Sequence, residues 1–402
     1  MESNIEKKVG CVVAYMKGQN NYGTALQAYA TIHKVGSLGY NYEIIKYVKK
    51  QSFKQLLPNL IDIIRSGAIK RSFYLQRKKI DLKFNGEYRR TKLIRTKAVD
   101  CFQKKYLDNK AVVYNGYDKL TEGSKKYSVV LVGSDQVWAP LSLYNKYYNL
   151  LFVDSRVPTF SYASSFGVSN IYPWQKDRVA EYLNKLTKIG VREQRGKEIV
   201  SELTGKDRAK VVLDPTLILD RSEWESLIDE SRCRVDEPYI LCYVLGERED
   251  IRNHIKQLSR ESGIKILNLP HIDNYHKMDD KLGNINLYDV DPLDFIKLIR
   301  DAQYVVTDSF HCSVFAAIFH KKFLTFYRKN PNLKGSTHSR IDSLFSTLGL
   351  DARLFRNKVY DEIQAEIDYD DVELRLKTLR EDSVEFLKDS LSLKSYYDNS
   401  AK

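Results

Sequence analysis

The chain is poor in cysteine, and what it has is not arranged for chemistry. Its five cysteines (Cys11, Cys101, Cys233, Cys242 and Cys312) are scattered, several of them within apolar runs, and no two form a CxxC pair. That pattern excludes a disulfide framework and a cysteine-based zinc site, and it fits the reduced core thiols of a cytoplasmic protein. No apolar run approaches the roughly 20 residues that cross a bilayer, so a spanning helix is excluded. Residues 1–8 are polar and charged, with no hydrophobic signal core behind them, and a cytoplasmic location is expected. Internal repeats and low-complexity segments are absent. There is no RNP-type aromatic pattern and no zinc-finger or helix-turn-helix signature, so a nucleic-acid partner is not expected.

What is present is a folded chain of 402 residues with 43% hydrophobic and 29% charged residues, enough for about two domains. Its net charge of +13 is unevenly placed. Residues 49–110 hold roughly 18 Lys or Arg against about 5 Asp or Glu, a difference that matches the whole excess. Such a segment attracts phosphate-rich partners or anionic lipid headgroups. It is also what a solvated helical surface looks like.

The order of elements predicts an α/β fold. Residues 9–15 read as an apolar strand, 18–23 as a Gly- and Asn-rich loop, 24–33 as a helix and 42–47 as a second strand. That βαβ start implies a parallel sheet. Residues 51–107 read as basic and mostly helical. Further strands are expected at 129–132, 159–163, 188–191 and 211–213, with a helix at 174–186. Pro238 marks a restart, followed by strands at 239–245, 265–269, 304–307 and 323–327 and helices at 249–262 and 292–299. The reading is therefore two Rossmann-like domains facing across a cleft, residues 1–220 and 238–350. The basic helical insertion 49–110 lies in the first domain, and a C-terminal helical segment, 360–402, packs across both. The first domain is assigned to the acceptor side and the second to the donor side.

The most informative stretch is Tyr304-Val305-Val306-Thr307-Asp308-Ser309-Phe310-His311. A β-branched strand stops at Asp308-Ser309 and opens directly into a helix. A helix N-terminus favours phosphate or carboxylate, and a histidine falls in its first turn. Polar clusters also end the predicted strands of the first unit: Gly133-Ser134-Asp135, Ser164-Ser165, Arg192-Glu193 and Asp214-Pro215-Thr216. Ligands of open α/β sheets bind at the carboxyl ends of strands.

These segments, with Asn21-Tyr22-Gly23-Thr24-Ala25-Leu26-Gln27-Ala28, resemble the polysaccharide pyruvyl transferases over nearly the whole chain. The resemblance implies a fold similar to the GT-B glycosyltransferases. It implies phosphoenolpyruvate as co-substrate, no further cofactor and no metal, and an acceptor sugar with two free hydroxyls. The product would be a pyruvate ketal, such as a galactose 4,6-ketal, on a capsule or exopolysaccharide precursor. Acceptors in such families are commonly carried on a lipid diphosphate, which suggests a peripheral position at the inner face of the plasma membrane. The chain departs from the family where many members carry Arg-Leu-His: Ser309 stands at the arginine, so another cation must meet the donor's charge. Thr24 stands where many members place an acid. A family lysine falls on Arg340.

Phosphoenolpyruvate carries a phosphate and a carboxylate, and guanidinium groups bind both bidentately. Arg192, directly after a strand, and Arg340 are the expected binders, with Asp308 and Ser309 at the helix start; the bland reading of Arg192 is a surface ion pair with Glu193. His311 is the expected proton-transfer group. Asp135 is expected to order or deprotonate the sugar hydroxyls, or else simply to cap a helix. Asn21 and Tyr22 are candidate sugar contacts, Tyr22 by stacking. The competing reading is a GT-B-like nucleotide-sugar glycosyltransferase of the same kind of pathway, which would also use a helix N-terminus for phosphate.

Overall fold

The computed structural model describes residues 8–48, 84–140, 146–329 and 339–394, apart from positions 16, 19, 232, 274 and 275, together with isolated residues between 61 and 82. Most of the basic segment before residue 84, and residues 330–338, lie outside the described residues.

Two parallel sheets form the framework. The first has seven strands in the order β3-β2-β1-β4-β5-β6-β7. They are β1 (Val9–Val12), β2 (Tyr42–Val48), β3 (Ala111–Asn115), β4 (Val129–Val132), β5 (Thr159–Ser164), β6 (Lys188–Val191) and β7 (Ala209–Val211). The second has five strands in the order β10-β9-β8-β11-β12. They are β8 (Tyr239–Tyr243), β9 (Lys265–Asn268), β10 (Ile285–Asn286), β11 (Tyr304–Thr307) and β12 (Lys322–Thr325). The central strands, such as Val129–Val132 and Tyr304–Thr307, are buried along their whole length. That is why they are continuously apolar rather than alternating.

The helices used below are α1 (Tyr22–Ser37), α2 (Gly86–Tyr106), α3 (Tyr117–Ser124), α4 (Lys176–Lys185), α5 (Gln194–Thr204), α6 (Pro215–Ile218), α7 (Arg221–Ile228), α8 (Glu249–Ser262), α9 (Pro292–Asp301), α10 (Phe310–Ile318), α11 (Ser339–Leu348), α12 (Val359–Gln364) and α13 (Tyr369–Leu391). Helix α13 packs across both units. Its start is held by the second, where the Tyr369 hydroxyl donates to the Lys321 carbonyl and Glu373 lies 3.0 Å from His320. Its end is held by the first, where the Ser383 hydroxyl accepts from the Leu213 amide at 3.0 Å and Phe386 packs on Tyr162.

The two units are fixed against one another, which matters for a site between them. One continuous apolar core runs from Val9 and Leu131 of the first sheet to Leu241 and Val305 of the second. Tyr22 of α1 stacks on Phe295 of α9, ring centroids 4.5 Å apart. Buried Arg95 of α2 donates to the carbonyls of Leu287 (2.8 Å) and Tyr288 (2.9 Å). The Tyr88 hydroxyl donates to the Ile272 carbonyl at 2.6 Å, and buried Asn20 is bonded to Asp273 at 2.8 Å. Part of the basic segment is therefore structural: α2 spends Arg95 and Tyr88 in joining the two units.

Candidate functional site

In each sheet the strand order reverses beside its first strand, between β1 and β4 and between β8 and β11. Crevices open at the carboxyl ends of such strand pairs, and here the two crevices face each other. The segments that leave these strands supply Asp135 after β4, Arg192 and Glu193 after β6, and Asp308 to His311 after β11.

Arg192 is not the surface partner of Glu193. It is buried, and its Nη1 donates to Asp214 Oδ2 at 2.8 Å. Asp214 accepts at the same oxygen from Ser134 Oγ (2.9 Å), and at Oδ1 from the amide (3.0 Å) and hydroxyl (2.7 Å) of Thr216. Burial pushes the Asp214 carboxyl up, but His311 and Arg192 outweigh it and hold it down to about 2. Asp214 is therefore an ionised clamp that immobilises one edge of the guanidinium. The other edge, Nε and Nη2, is buried and has no hydrogen-bond partner among the described residues. Buried donors are almost always paired, so an unpaired edge points to a missing anion.

Arg340, at the start of α11, repeats the pattern. Its Nε is buried and unpartnered among the described residues. Burial and the neighbouring Arg192 depress it to about 10, against the pull of Glu193 and Asp135. Both guanidiniums lie near the Phe310 ring, Arg192 at 4.7 Å and Arg340 at 5.8 Å from its centroid. Two cations thus flank the first residue of α10, at a helix N-terminus that itself favours anions. A third, Arg328, reaches the Asp308 carbonyl at 3.4 Å. A cavity lined by Arg192, Asp214, Phe310 and Arg340 continues toward Ser383 of α13.

His311 stands between the two units. Its Nε2 lies 3.8 Å from Asp214 Oδ2, too far for a hydrogen bond, and has no partner among the described residues. Burial lowers its pKa, with Arg192 acting the same way and Asp214 opposing. Across the cleft the ring meets α1 at Gly23, where a Cβ would sit 2.1 Å from Nδ1. The glycine reads as part of a loop in the sequence. It is inside the helix, and its requirement is the close approach of this imidazole.

Asp135 takes a positive φ of 82°, a conformation uncommon for a residue with a side chain and often found at functional sites. Among the described residues no regular helix follows it for the side chain to cap. Its Oδ2 accepts from Thr24 Oγ1 at 2.8 Å and its Oδ1 from the Gln136 amide at 2.8 Å. Burial raises its carboxyl, but Arg192 and His311 prevail and hold it below the usual range, so it is ionised at neutral pH.

Two expected contacts, Tyr22 and Asp308, are placed elsewhere. Tyr22 is fully buried between the two units, stacked on Phe295 with the Arg95 guanidinium 5.0 Å from its centroid, so no sugar can stack on it. Its position after a polar loop resembles an exposed platform, but helix α1 starts at Tyr22 and turns it into the core. Asp308 accepts from the amides of Leu245 and Gly246, both at 2.7 Å, and so clasps the β8 exit loop instead of facing a ligand. Asn21 is the N-cap of α1, accepting from the Thr24 amide at 3.4 Å. Ser309 holds the N-cap position of α10, but its hydroxyl makes no capping bond. Glu193, which the sequence presents only as an ion partner of Arg192, is buried with Oε1 accepting from Ser165 Oγ at 2.7 Å and Oε2 unpartnered among the described residues. Among the described residues no group of three or more His, Cys, Asp or Glu side chains is placed to hold a metal ion, and no helix is long and apolar enough to cross a membrane.

The family model for polysaccharide pyruvyl transferase matches residues 21–330, which contain Asp135, Arg192, Glu193, Asp214 and His311. No curated protein sequence matches the chain. Among solved structures, a UDP-GlcNAc 2-epimerase from Neisseria meningitidis bound to UDP-GlcNAc is similar with a TM-score of 0.50 at 10% identity, covering 96% of this chain and 95% of its own. An S. aureus MnaA–UDP structure gives 0.50 at 12% identity, covering 96% and 97%. The N-terminal domain of Candida albicans trehalose-6-phosphate phosphatase gives 0.50 at 10% identity, covering 98% of both chains. At these identities the likeness is one of fold, the paired Rossmann-like domains of the GT-B type.

Proposed function

The chain belongs to the polysaccharide pyruvyl transferase family, and from that premise we propose that it moves the enolpyruvyl group of phosphoenolpyruvate onto two hydroxyls of a sugar as a ketal, releasing phosphate. The observation that carries this reading is the pair of neighbouring guanidiniums, buried Arg192 and half-buried Arg340, with Nε and Nη2 of the first and Nε of the second buried and unpartnered among the described residues, both near the ring of the residue that precedes His311. A small donor with a phosphate and a carboxylate needs two such forks close together.

The chemistry follows from the arrangement. In the free cleft burial keeps His311 uncharged near neutral pH. A bound polyanion favours the charged form, so donor binding loads His311 with a proton. One sugar hydroxyl then adds to C2 of the donor. Its proton passes to Asp135, and His311 delivers a proton to C3, which becomes a methyl group. The bond from C2 to the phosphate oxygen breaks through an oxocarbenium-like state, and the second hydroxyl closes the ketal at C2. An acceptor on a lipid diphosphate would be met at an anionic surface, and the exposed Arg89, Arg90, Lys97 and Lys104 of α2 suit that presentation.

The test is incubation with phosphoenolpyruvate and a panel of sugar acceptors, with phosphate release and the mass of the product as readouts. A gain of one pyruvate less water, with one phosphate released per ketal, supports the reading. Transfer of a glycosyl group from a nucleotide sugar, with phosphoenolpyruvate untouched, overturns it.

A further inference from the structure

Ketal formation moves protons in two separate stages, and the second stage needs its own group. This inference rests on the function proposed above. Of the four buried carboxylates Asp135, Glu193, Asp214 and Asp308, three have a hydrogen bond at each oxygen: Asp135 from Thr24 and Gln136, Asp214 from Arg192, Ser134 and Thr216, and Asp308 from Leu245 and Gly246. Glu193 alone of these has an oxygen with no hydrogen-bond partner among the described residues, although the Gly167 amide also acts on its carboxylate. Ser165 Oγ fixes Oε1 at 2.7 Å, while Oε2 is buried without a partner among the described residues. The residue occupies the N-cap position of α5, yet its side chain makes no capping bond. It gives up a local stabilising role, and a buried carboxyl with an empty oxygen costs stability unless something arrives there.

We propose that Glu193 protonates the departing phosphate and then, as the carboxylate, accepts the proton of the second sugar hydroxyl. The charged groups acting on it are Arg192, its chain neighbour at the end of β6, and Arg340 of α11, the same two that face the donor. Burial raises its carboxyl pKa more than these arginines lower it. A bound anion offsets the arginines' charge and favours the protonated acid further. The step balances. The Glu193 O–H proton goes to the phosphate oxygen as the C2–O bond breaks, and the electron pair leaves with phosphate. The second hydroxyl forms the new C2–O bond, and its proton returns to Oε2. Glu193 ends as it began. His311 and Asp135 serve the first stage, and Asp135 returns its proton to His311 at the end of the cycle.

Two readouts separate the stages. In deuterium oxide, with donor and acceptor present, reversible addition carries deuterium into C3 of recovered phosphoenolpyruvate, whereas phosphate release requires the second stage. Glu193→Gln keeps the volume and the contact with Ser165 but carries no transferable acid proton. Its phosphate release should fall by about 10² or more, while deuterium still enters C3, and its thermal unfolding should match the wild type. His311→Ala should lose both readouts. Phosphate release by Glu193→Gln within tenfold of wild type overturns the proposal. So does a folded Glu193→Gln that loses exchange and release together, which would make the residue a binding or structural group. A wild-type protein inert toward phosphoenolpyruvate would remove the functional reading itself, and Glu193's role with it, before any variant is compared.

Discussion

Replacing Asp214 by Asn removes one charge and little volume, and it tests whether the cleft is organised around an ionised clamp. The carboxylate accepts four hydrogen bonds, from Arg192, Ser134 and both donors of Thr216. Its pKa lies at about 2 against an ordinary 3.8, which corresponds to roughly 2 to 3 kcal/mol of preferential binding of the charged form. Breaking a buried ion pair costs about 3–5 kcal/mol when the remaining charge is stranded. Asp135 and Glu193 also act on Arg192, so the lower end applies, and Asp214→Asn should lose about 2–3 kcal/mol in urea unfolding at neutral pH. The sign with pH is fixed. A carboxyl depressed in the folded state stabilises above its unfolded pKa and loses that contribution as pH falls toward the folded value. The difference between wild type and variant should therefore be full at neutral pH, roughly halved near pH 3 and gone near pH 2. A loss under about 1 kcal/mol at neutral pH, or one that stays constant down to pH 3, would refute the clamp.

Arg192→Lys should raise the KM for phosphoenolpyruvate by about tenfold or more, because a point charge cannot reproduce the planar fork; an unchanged KM and kcat would move the role to Arg340. His311→Ala should keep its unfolding temperature and lose about 10² to 10⁴ in turnover. Because burial lowers the His311 pKa in the free cleft, the alkaline limb of kcat/KM should fall below pH 6.5, while that of kcat, read with the anion bound, should fall at higher pH. Coincident limbs would contradict proton loading by the donor. Gly23→Ala should cut turnover by at least about tenfold, since its Cβ would lie 2.1 Å from His311 Nδ1, and wild-type turnover would show that the imidazole has another place to go.

Strands that are buried on both faces leave the clearest trace in a sequence. Val129–Val132 is legible to the residue, because a parallel strand covered on both sides stays apolar throughout, and so is Lys188–Val191, where only the half-exposed Lys188 at its start is polar. β1 is read too long, since Val13, Ala14 and Tyr15 remain buried after the ladder has ended at Val12. β3 and β10 leave no such trace: the first is a half-exposed edge strand and the second has two residues. At the site, residue types were informative and directions were not. Asp308 and Asp135 both follow strands, but one turns to backbone amides and the other remains beside Arg192 and His311. Tyr22 and Gly23 read as a loop with an aromatic tip, whereas Asn21 caps a helix that buries the tyrosine. Glu193 was hidden by its neighbour. Written next to Arg192 it looks like an ion partner, and only the fold shows that Asp214 has taken that place.

The arrangement of the cleft is poor for stability, and that is why it points to a ligand. Two neighbouring guanidiniums repel each other, and burial with Arg192 holds Arg340 at about 10. Nε and Nη2 of Arg192 and Nε of Arg340 are without a partner among the described residues. A protein selected only for stability would pair them, since each stranded donor costs about 1–3 kcal/mol. Instead the fold fixes them in place, clamping one edge of Arg192 through Asp214, Ser134 and Thr216 and setting both cations around Phe310. The second sheet contributes His311 and the first contributes Gly23 to receive it. Neither unit holds a complete site, so the interface that buries Tyr22, Phe295 and Arg95 positions the chemistry as well as joining the halves. A mutation in that interface should therefore reach turnover before it reaches folding, because a shift of about 1 Å is enough to misplace reacting groups while one continuous core still holds the chain together.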